Sequence, residues 1–263
     1  MIKNVAARGL NFTTPLDAGS SLPTGVAKEA VEKLGRAIVN GDYPEGEPMP
    51  MESDLADALG FSRNTIRDAI KVLSGKGMVR TARRYGTRVR PVSEWSLLDA
   101  DVISWHNVAQ SGIGRMFVET TELRCIIEPA AAELAAERAT PEQVGEILKA
   151  ADAMSPGSMD VTELYAADCL FHCTILDATG NRMMRQLRPI IIGILRISYE
   201  YGVQTDNGTP VSREGHTRVA EAIRDRSGAD AKREMEKMLD ANRHTAKEYW
   251  EKRTSGAGTT TEE

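Results

Sequence analysis

The chain has 263 residues, of which 41% are hydrophobic and three are cysteine. That length suits two domains, each with its own core, and three cysteines cannot build a complete disulfide framework, which points to a reducing, cytoplasmic compartment. The longest strongly apolar run, "IIIGIL" at 190–195, is far too short to cross a bilayer, and the first residues lack the apolar stretch of a secretory signal.

The net charge of −5 is unevenly spread. Residues 1–92 hold 14 Lys/Arg against 10 Asp/Glu, and residues 93–263 hold 19 against 28. Within 61–90, nine basic residues accompany a single acid, Asp68. Such a cluster in an acidic chain is a candidate nucleic-acid footprint; the alternative is a solvated charged face.

In chain order, residues 1–23 read as a flexible arm and 24–92 as a first domain. Thr24 caps a helix with the apolar stripe Ala27, Val31, Leu34 and Ile38. "YPEGEPMP" is a turn-rich connector. Ser53 caps a short second helix with Leu55, Ala58 and Leu59 inward and Gly60 at its end. Ser62 caps a third, whose stripe is Ile66, Ala69, Ile70 and Leu73. Two short helices joined by a tight turn form a helix-turn-helix. Arg63, Arg67 and Lys71 step by four along one flank of the third helix. Asn64 and Thr65 lie in its first turn, where a recognition helix presents side chains to base edges. Val79, Thr81, Thr87 and Val89 suit two short strands with "RRYG" at the tip. This basic hairpin is a wing, with Arg83 and Arg84 placed to reach a groove or phosphates.

The segment "YPEGEPMPMESDLADALGFSRNTIRDAIKVLSGKGMVRTARRYGTRV" resembles the winged-helix domain of GntR-type bacterial transcription regulators. The resemblance covers about 65 residues in ordered spacing. It departs at Ser53, where many members carry Arg, and at Tyr85 in the wing. It implies Arg63 and Arg67 as DNA contacts, Asn64 and Thr65 as specificity residues, and Arg83 and Arg84 as wing contacts.

Residues 93–250 read as an antiparallel bundle of seven helices, and 251–263 as a disordered tail. The fold class is therefore mainly α, a winged helix-turn-helix followed by a helical bundle. In "SEWSLLDADVISWH", Trp95, Leu98, Val102 and Trp105 share one face. Pro129 is expected to kink the long helix from about 114 to 139. "TPEQ" at 140–143 and "DVTE" at 160–163 are helix starts.

Asp168 and His172 are spaced i, i+4 and share a helix face. They can present an oxygen and a nitrogen to one metal ion, or form an ordinary intrahelical hydrogen bond. His216 follows 44 residues after His172. Arg124 stands one turn before Glu128 in an apolar helix; it either pairs with Glu128 or reads a ligand carboxylate in bidentate fashion. Cys169 and Cys173 flank the Asp/His pair; they either add a thiolate to a metal site or, being rotated about 100° from its face, are small buried hydrophobes, the reading the rotation favours.

"ADCLFHCTIL", "REGHTRVAEAI" and "ELRCIIEPAAAELAAERAT" resemble the FCD effector domain of the FadR subfamily of GntR regulators. The resemblance implies a divalent-metal site, zinc first among the candidates, held by Asp168, His172 and His216. The family's fourth ligand falls at Met238, a poor ligand for such an ion, which leaves open coordination positions. His244 faces away, while Asn242 shares the face of Met238 and is a weaker effector-lining candidate. The resemblance also implies that Arg124 reads an effector carboxylate. "SEWSLLDADVISW" is similar to the linker helix of repressors of hexonate (galactonate-type) catabolism, so sugar acids are the favoured effector class. The implied function is a homodimeric DNA-binding regulator, a repressor released from its operator by effector. The alternative is a metal-dependent enzyme using the Asp/His/His site.

Overall fold

Apolar residues at helical spacing, broken by glycines, build three helices at the start of the chain. The structure, a computed structural model, describes residues 20–106, 113–154, 160–205 and 212–256. It divides into two compact units, one of residues 19–111 and one carrying residues 112–263. Among the described residues no helix is long and apolar enough to cross a membrane.

The first unit contains α1 (Val26–Val39), α2 (Glu52–Leu59), α3 (Arg63–Gly75), β1 (Val79–Ala82), β2 (Gly86–Val89) and α4 (Ala100–Trp105). On α1, Ala30, Val31, Leu34 and Ile38 are buried. Its cap is Gly25, not Thr24: at φ 64° the backbone is left-handed, and no side chain caps the helix. Ser53 does not cap α2 either. The helix already begins at Glu52, with Glu52 and Asp54 favourably placed at the positive end of the helix dipole, and the Ser53 hydroxyl turns to Asp54. Leu55 and Ala56 point inward, while Ala58 is exposed. On α3, Ser62 Oγ accepts from the Thr65 amide at 3.1 Å, and Ile66, Ala69, Ile70 and Leu73 are all buried, as their spacing predicts. β1 and β2 pair antiparallel, Val79 opposite Val89 and Ala82 opposite Gly86. The connector before α2 lies along β2, where Gly46 N–H donates to Val89 O (3.0 Å) and Met49 N–H to Thr87 O (2.8 Å). The hairpin is thereby backed on one edge and its tip is left free.

The structural division falls at 111 rather than 92. Residues 93–106 fold back onto the winged helix: Ser96 N–H donates to Lys76 O at 2.9 Å and Trp95 Nε1 to Arg90 O at 2.8 Å. Trp105 lies on Gly35, where a Cβ would come within 2.5 Å of the indole, so only glycine admits the ring. Trp95, Val102 and Trp105 join the same core as α1 and α3. Leu98 does not; it is 56% exposed, because the helix starts only at Ala100, after the Asp99 side chain accepts from the Asp101 and Val102 amides. The end of the arm is also held, with Leu22 packed on this core.

Lys76 is the polar centre of this fold-back. Its ammonium, 5% exposed, donates to Asp99 Oδ1 (2.7 Å), Asp101 Oδ2 (2.7 Å) and Ser21 Oγ (3.2 Å). Burial alone would raise the Asp101 carboxyl, but Lys76 and the neighbouring serines outweigh it and hold the group below its usual value. A carboxyl depressed in the folded state stabilises above its unfolded pKa of about 3.9 and loses that contribution as the pH falls through the folded value. Lys76→Met should destabilise the unit by about 3 kcal/mol at pH 7, as expected when one partner of a buried pair is removed. The deficit should shrink below about pH 4, where Asp101 can be neutralised. Thermal melts from pH 7 to pH 3 check this; a pH-independent deficit would contradict it.

The second unit holds α5 (Ile113–Arg138), α6 (Pro141–Ala153), α7 (Val161–Ala178), α8 (Arg182–Arg185), α9 (Arg188–Thr205), α10 (Arg213–Arg224) and α11 (Gly228–Gly256). Among the described residues the count of seven matches expectation but the membership differs. The helix within 93–106 belongs to the first unit, and α8 is a four-residue helix capped by Asn181. Pro129 lies inside α5 without ending it. Thr140 and Gln143 cap α6 reciprocally, and the Asp160 amide donates to Glu163 at α7. Residues 251–256 are helical and extend α11, a departure from the tail boundary at 251, since no Pro or Gly interrupts the chain until Gly256. Buried Ala131, Ala132, Ala135 and Ala136 on α5 carry small side chains, which lets α11 lie close along it. α7 packs on α5, α6 and α9, and α10 on α5, α6 and α11.

Candidate functional site

In the second unit, α7 contributes Asp168 and His172, one turn apart, and α10 contributes His216 from its first turn. All three are buried, and one ligand atom of each lies within 4.8 Å of the others. Asp168 Oδ1 is 3.1 Å from His172 Nε2 and 3.2 Å from His216 Nε2. Two donors each about 2.1 Å from one ion lie roughly 3.0–3.4 Å apart at ordinary coordination angles, so these separations fit a shared cation.

The ring tautomers point the same way. His216 Nδ1 faces the Ser212 carbonyl at 2.8 Å. A carbonyl only accepts, so Nδ1 donates to it, and Nε2 is the ring nitrogen that faces Asp168 Oδ1. Arg124 Nη2 lies 3.2 Å from His172 Nε2. A guanidinium only donates and a carboxylate only accepts, so this nitrogen, which also faces Asp168 Oδ1 at 3.1 Å, cannot satisfy both neighbours at once. Two imidazole nitrogens and a carboxylate oxygen converge in a buried space, where either ring protons or a cation must lie between them. Burial alone would lower the His172 pKa, but Glu128 outweighs it and raises the pKa. Protons would therefore compete with any cation held at this site. Phe171 packs edge-on against both imidazoles, its centroid 5.2 Å from His172 and 4.8 Å from His216.

Arg124, 2% exposed, reaches the cluster from α5. Its Nε donates to Glu128 Oε1 at 2.5 Å. Burial would raise the Glu128 carboxyl, but Arg124 and then His172 bring it down to about 2. Beyond Glu128 and His172, the guanidinium makes no further hydrogen bond among the described residues. Both readings of Arg124 left open by the sequence are thus compatible: it pairs with Glu128 and keeps donors for a ligand. Sequence reasoning did not place Glu128 against His172, and it missed Tyr199. Burial first, and Asp168 second, hold the Tyr199 phenol well above its usual range. The only local signal for Tyr199 was an aromatic on an apolar helix.

Met238 is buried against Gly215, its Cγ 3.1 Å from where a Cβ on that glycine would lie. Gly215 lets α11 come close to α10. Asn242 lies on α11 with its side chain outside the described residues. His244 is exposed. Burial pushes the Cys169 thiol up, and the Cys173 thiol up to about 12, so both stay neutral like small apolar side chains.

In the first unit, Arg63 and Asn64 are exposed at the start of α3, and Thr65 is half-buried with its hydroxyl 2.8 Å from Ser62 Oγ. Arg67 is anchored to Glu52 of α2, Nη2 to Oε2 at 2.7 Å. Lys71 pairs with Asp68 at 2.9 Å, which gives the lone acid of this basic stretch a local partner. Arg83 and Arg84 are exposed at the hairpin tip with Tyr85. Arg84 adopts φ 72°, a left-handed backbone that costs a non-glycine residue about 1 kcal/mol and turns the tip sharply.

Comparison with known proteins agrees with this layout. The model for "Bacterial regulatory proteins, gntR family" matches residues 26–89, and the model for the FCD domain matches residues 119–241. The galactonate operon transcriptional repressor of Escherichia coli K12 is 31% identical over 217 residues, which is 82% of this chain and 94% of that protein. The chain belongs to the GntR family. It is a DNA-binding transcriptional regulator with an FCD domain, and the enzyme reading of the Asp/His/His cluster is set aside. The repressor NanR of Cronobacter sakazakii is 27% identical, over 80% of this chain and 81% of that one. Among solved structures, Lar, which controls expression of the Listeria monocytogenes agr system, is 18% identical with a TM-score of 0.59, over 86% of this GntR-family chain and 98% of its own. At that identity the likeness shows the shared fold.

Proposed function

We propose that this regulator is a homodimeric repressor that leaves its operator when a sugar acid such as galactonate enters a metal-containing pocket of the helical unit. Arg63, Asn64, Thr65, Arg67 and Lys71 on α3, with Arg83 and Arg84 on the wing, form the DNA surface. Asp168, His172 and His216 hold a divalent ion, with zinc fitting the nitrogen-rich donor set. A bound ion would supply Lewis-acid coordination for ligand oxygens. Arg124 supplies a guanidinium for the ligand carboxylate, and Asn242 lies further along α11. The observation that carries the reading is the buried Arg124 guanidinium, with donors that no described residue takes, beside three convergent metal-type ligands. The 31% identity to the galactonate operon repressor supports a hexonate over other acids.

Galactonate is expected to raise the melting temperature of the metal-loaded protein and to release it from operator fragments. A chelator should remove most of that response. At ligand concentrations 100-fold above Kd the stabilisation is about 2.7 kcal/mol, well within reach of a thermal-shift assay. No shift with any hexonate, with or without added zinc, would overturn the effector assignment.

A further inference from the structure

We infer that Glu128 is a positioning residue that couples effector capture to metal binding, because its two oxygens join the Arg124 guanidinium to the back of the His172 ring. The inference rests on the sensor reading above and adds to it a residue and a direction of linkage.

Glu128 sits on α5, 2% exposed. One oxygen, Oε1, accepts from Arg124 Nε at 2.5 Å. The other, Oε2, stands 2.5 Å from His172 Nδ1. The angle of that contact is outside hydrogen-bond geometry, and neither atom has a hydrogen-bond partner elsewhere among the described residues. A buried carboxylate oxygen and a buried ring nitrogen thus have only each other as partners.

Each of the two metal-type histidines therefore has an oxygen close to Nδ1, held in different ways. His216 has the Ser212 carbonyl at Nδ1, and His172 has Glu128. An oxygen at Nδ1 selects the tautomer whose Nε2 lone pair faces the metal position, and it strengthens that nitrogen as a ligand. The Ser212 carbonyl is neutral and fixed in the backbone. Glu128 is charged, carried on a side chain, and shared with Arg124, so the backing of His172 responds to whatever engages the guanidinium.

Arg124 acts on His172 from both sides. It partly neutralises Glu128 and so weakens the pull on Nδ1, and its Nη2 lies 3.2 Å from Nε2, where it competes for the metal's lone pair. An effector carboxylate that takes the guanidinium relieves both effects. Glu128 then pulls harder on Nδ1, and Nε2 is freed. The other charged or polar groups facing the cluster, Asp168 and Tyr199, are not shared with Arg124 by any hydrogen bond among the described residues. Metal and effector should therefore tighten each other's binding by one factor, reciprocally.

The test is zinc titration of the full chain against a chromophoric chelator, with and without galactonate, for the parent, Glu128→Gln, Arg124→Met and the double variant, each checked for its melting temperature. Glu128→Gln is expected to weaken zinc binding by roughly 10- to 100-fold, as for other outer-shell partners. It should also shrink the galactonate-dependent gain in zinc affinity that the parent shows, leaving only the part that comes from freeing Nε2. If Glu128→Gln does not fold, the double variant removes both buried charges together and should show the same loss of zinc affinity relative to Arg124→Met. Zinc affinity in Glu128→Gln equal to the parent's, or an undiminished galactonate effect on it, overturns the inference and leaves the sensor reading standing. A parent that takes up no zinc overturns the sensor reading and the inference together.

Discussion

Arg124→Met is expected to abolish the response to sugar acid and to lower fold stability by about 3 kcal/mol, the order found when one partner of a buried ion pair is removed. Both effects follow from one position. The guanidinium is 2% exposed and neutralises Glu128, which is equally buried, so truncation leaves an under-compensated carboxylate in an apolar bundle. His172 takes over part of that charge, since its ring already faces Glu128 Oε2, which keeps the loss at the lower end of the range. Arg124→Lys separates the two roles. An ammonium restores a positive charge against Glu128 but cannot present the planar fork that reads a carboxylate. It should recover most of the stability and little of the galactonate-induced thermal shift or operator release. If Arg124→Lys responds to galactonate as the parent does, the guanidinium does not read the carboxylate. If Arg124→Met melts as the parent does, the buried pair contributes nothing to the fold.

The parts legible in the sequence are those whose determinants lie within one or two helical turns. The Ser62 cap and the stripe Ile66, Ala69, Ile70 and Leu73 are set by local spacing, and α3 buries those four residues. Asp168 and His172 share a face because i, i+4 fixes them there, whereas His216 stands on a separate helix, and only the resemblance ties it to the other two. The fold-back of residues 93–106 was not legible, because it depends on distant partners. Lys76 meets Asp99 and Asp101 across more than twenty residues, and Trp105 needs the missing side chain of Gly35. Helical periodicity in "SEWSLLDADVISWH" suggested one continuous face, whereas the capping power of Asp99 delays the helix and leaves Leu98 outside. Glu128 follows the same rule. Its pairing with Arg124 is a one-turn contact that spacing suggests, but its contact with His172 joins two helices and has no local signature.

Removing both Arg63 and Arg67 is expected to cost the largest loss of operator affinity of any exposed pair in the chain, roughly 10- to 100-fold per residue if each makes a base or phosphate contact. The two differ in how they are held. Arg67 is fixed by Glu52 through Nε and Nη2, at 2.9 and 2.7 Å, and points along the flank of α3 with little freedom left to lose on binding. Arg63 has no ion pair among the described residues and stands beside Asn64 in the first turn, where base edges are read. Arg67→Ala should therefore weaken binding to all sequences and lower the slope of log affinity against log salt by about one, as one phosphate contact would. Arg63→Ala should relax the preference for operator over unrelated DNA with a smaller change in that slope. Glu52→Gln discriminates further. It frees Arg67 and removes a negative charge from the DNA-facing side, so non-specific affinity should rise while the ratio of specific to non-specific binding falls. Anisotropy titrations with operator and scrambled duplexes at several salt concentrations measure all of these. Unchanged affinity in the double variant would remove α3 from the DNA surface and leave the hairpin tip, with Arg83 and Arg84, to carry binding alone.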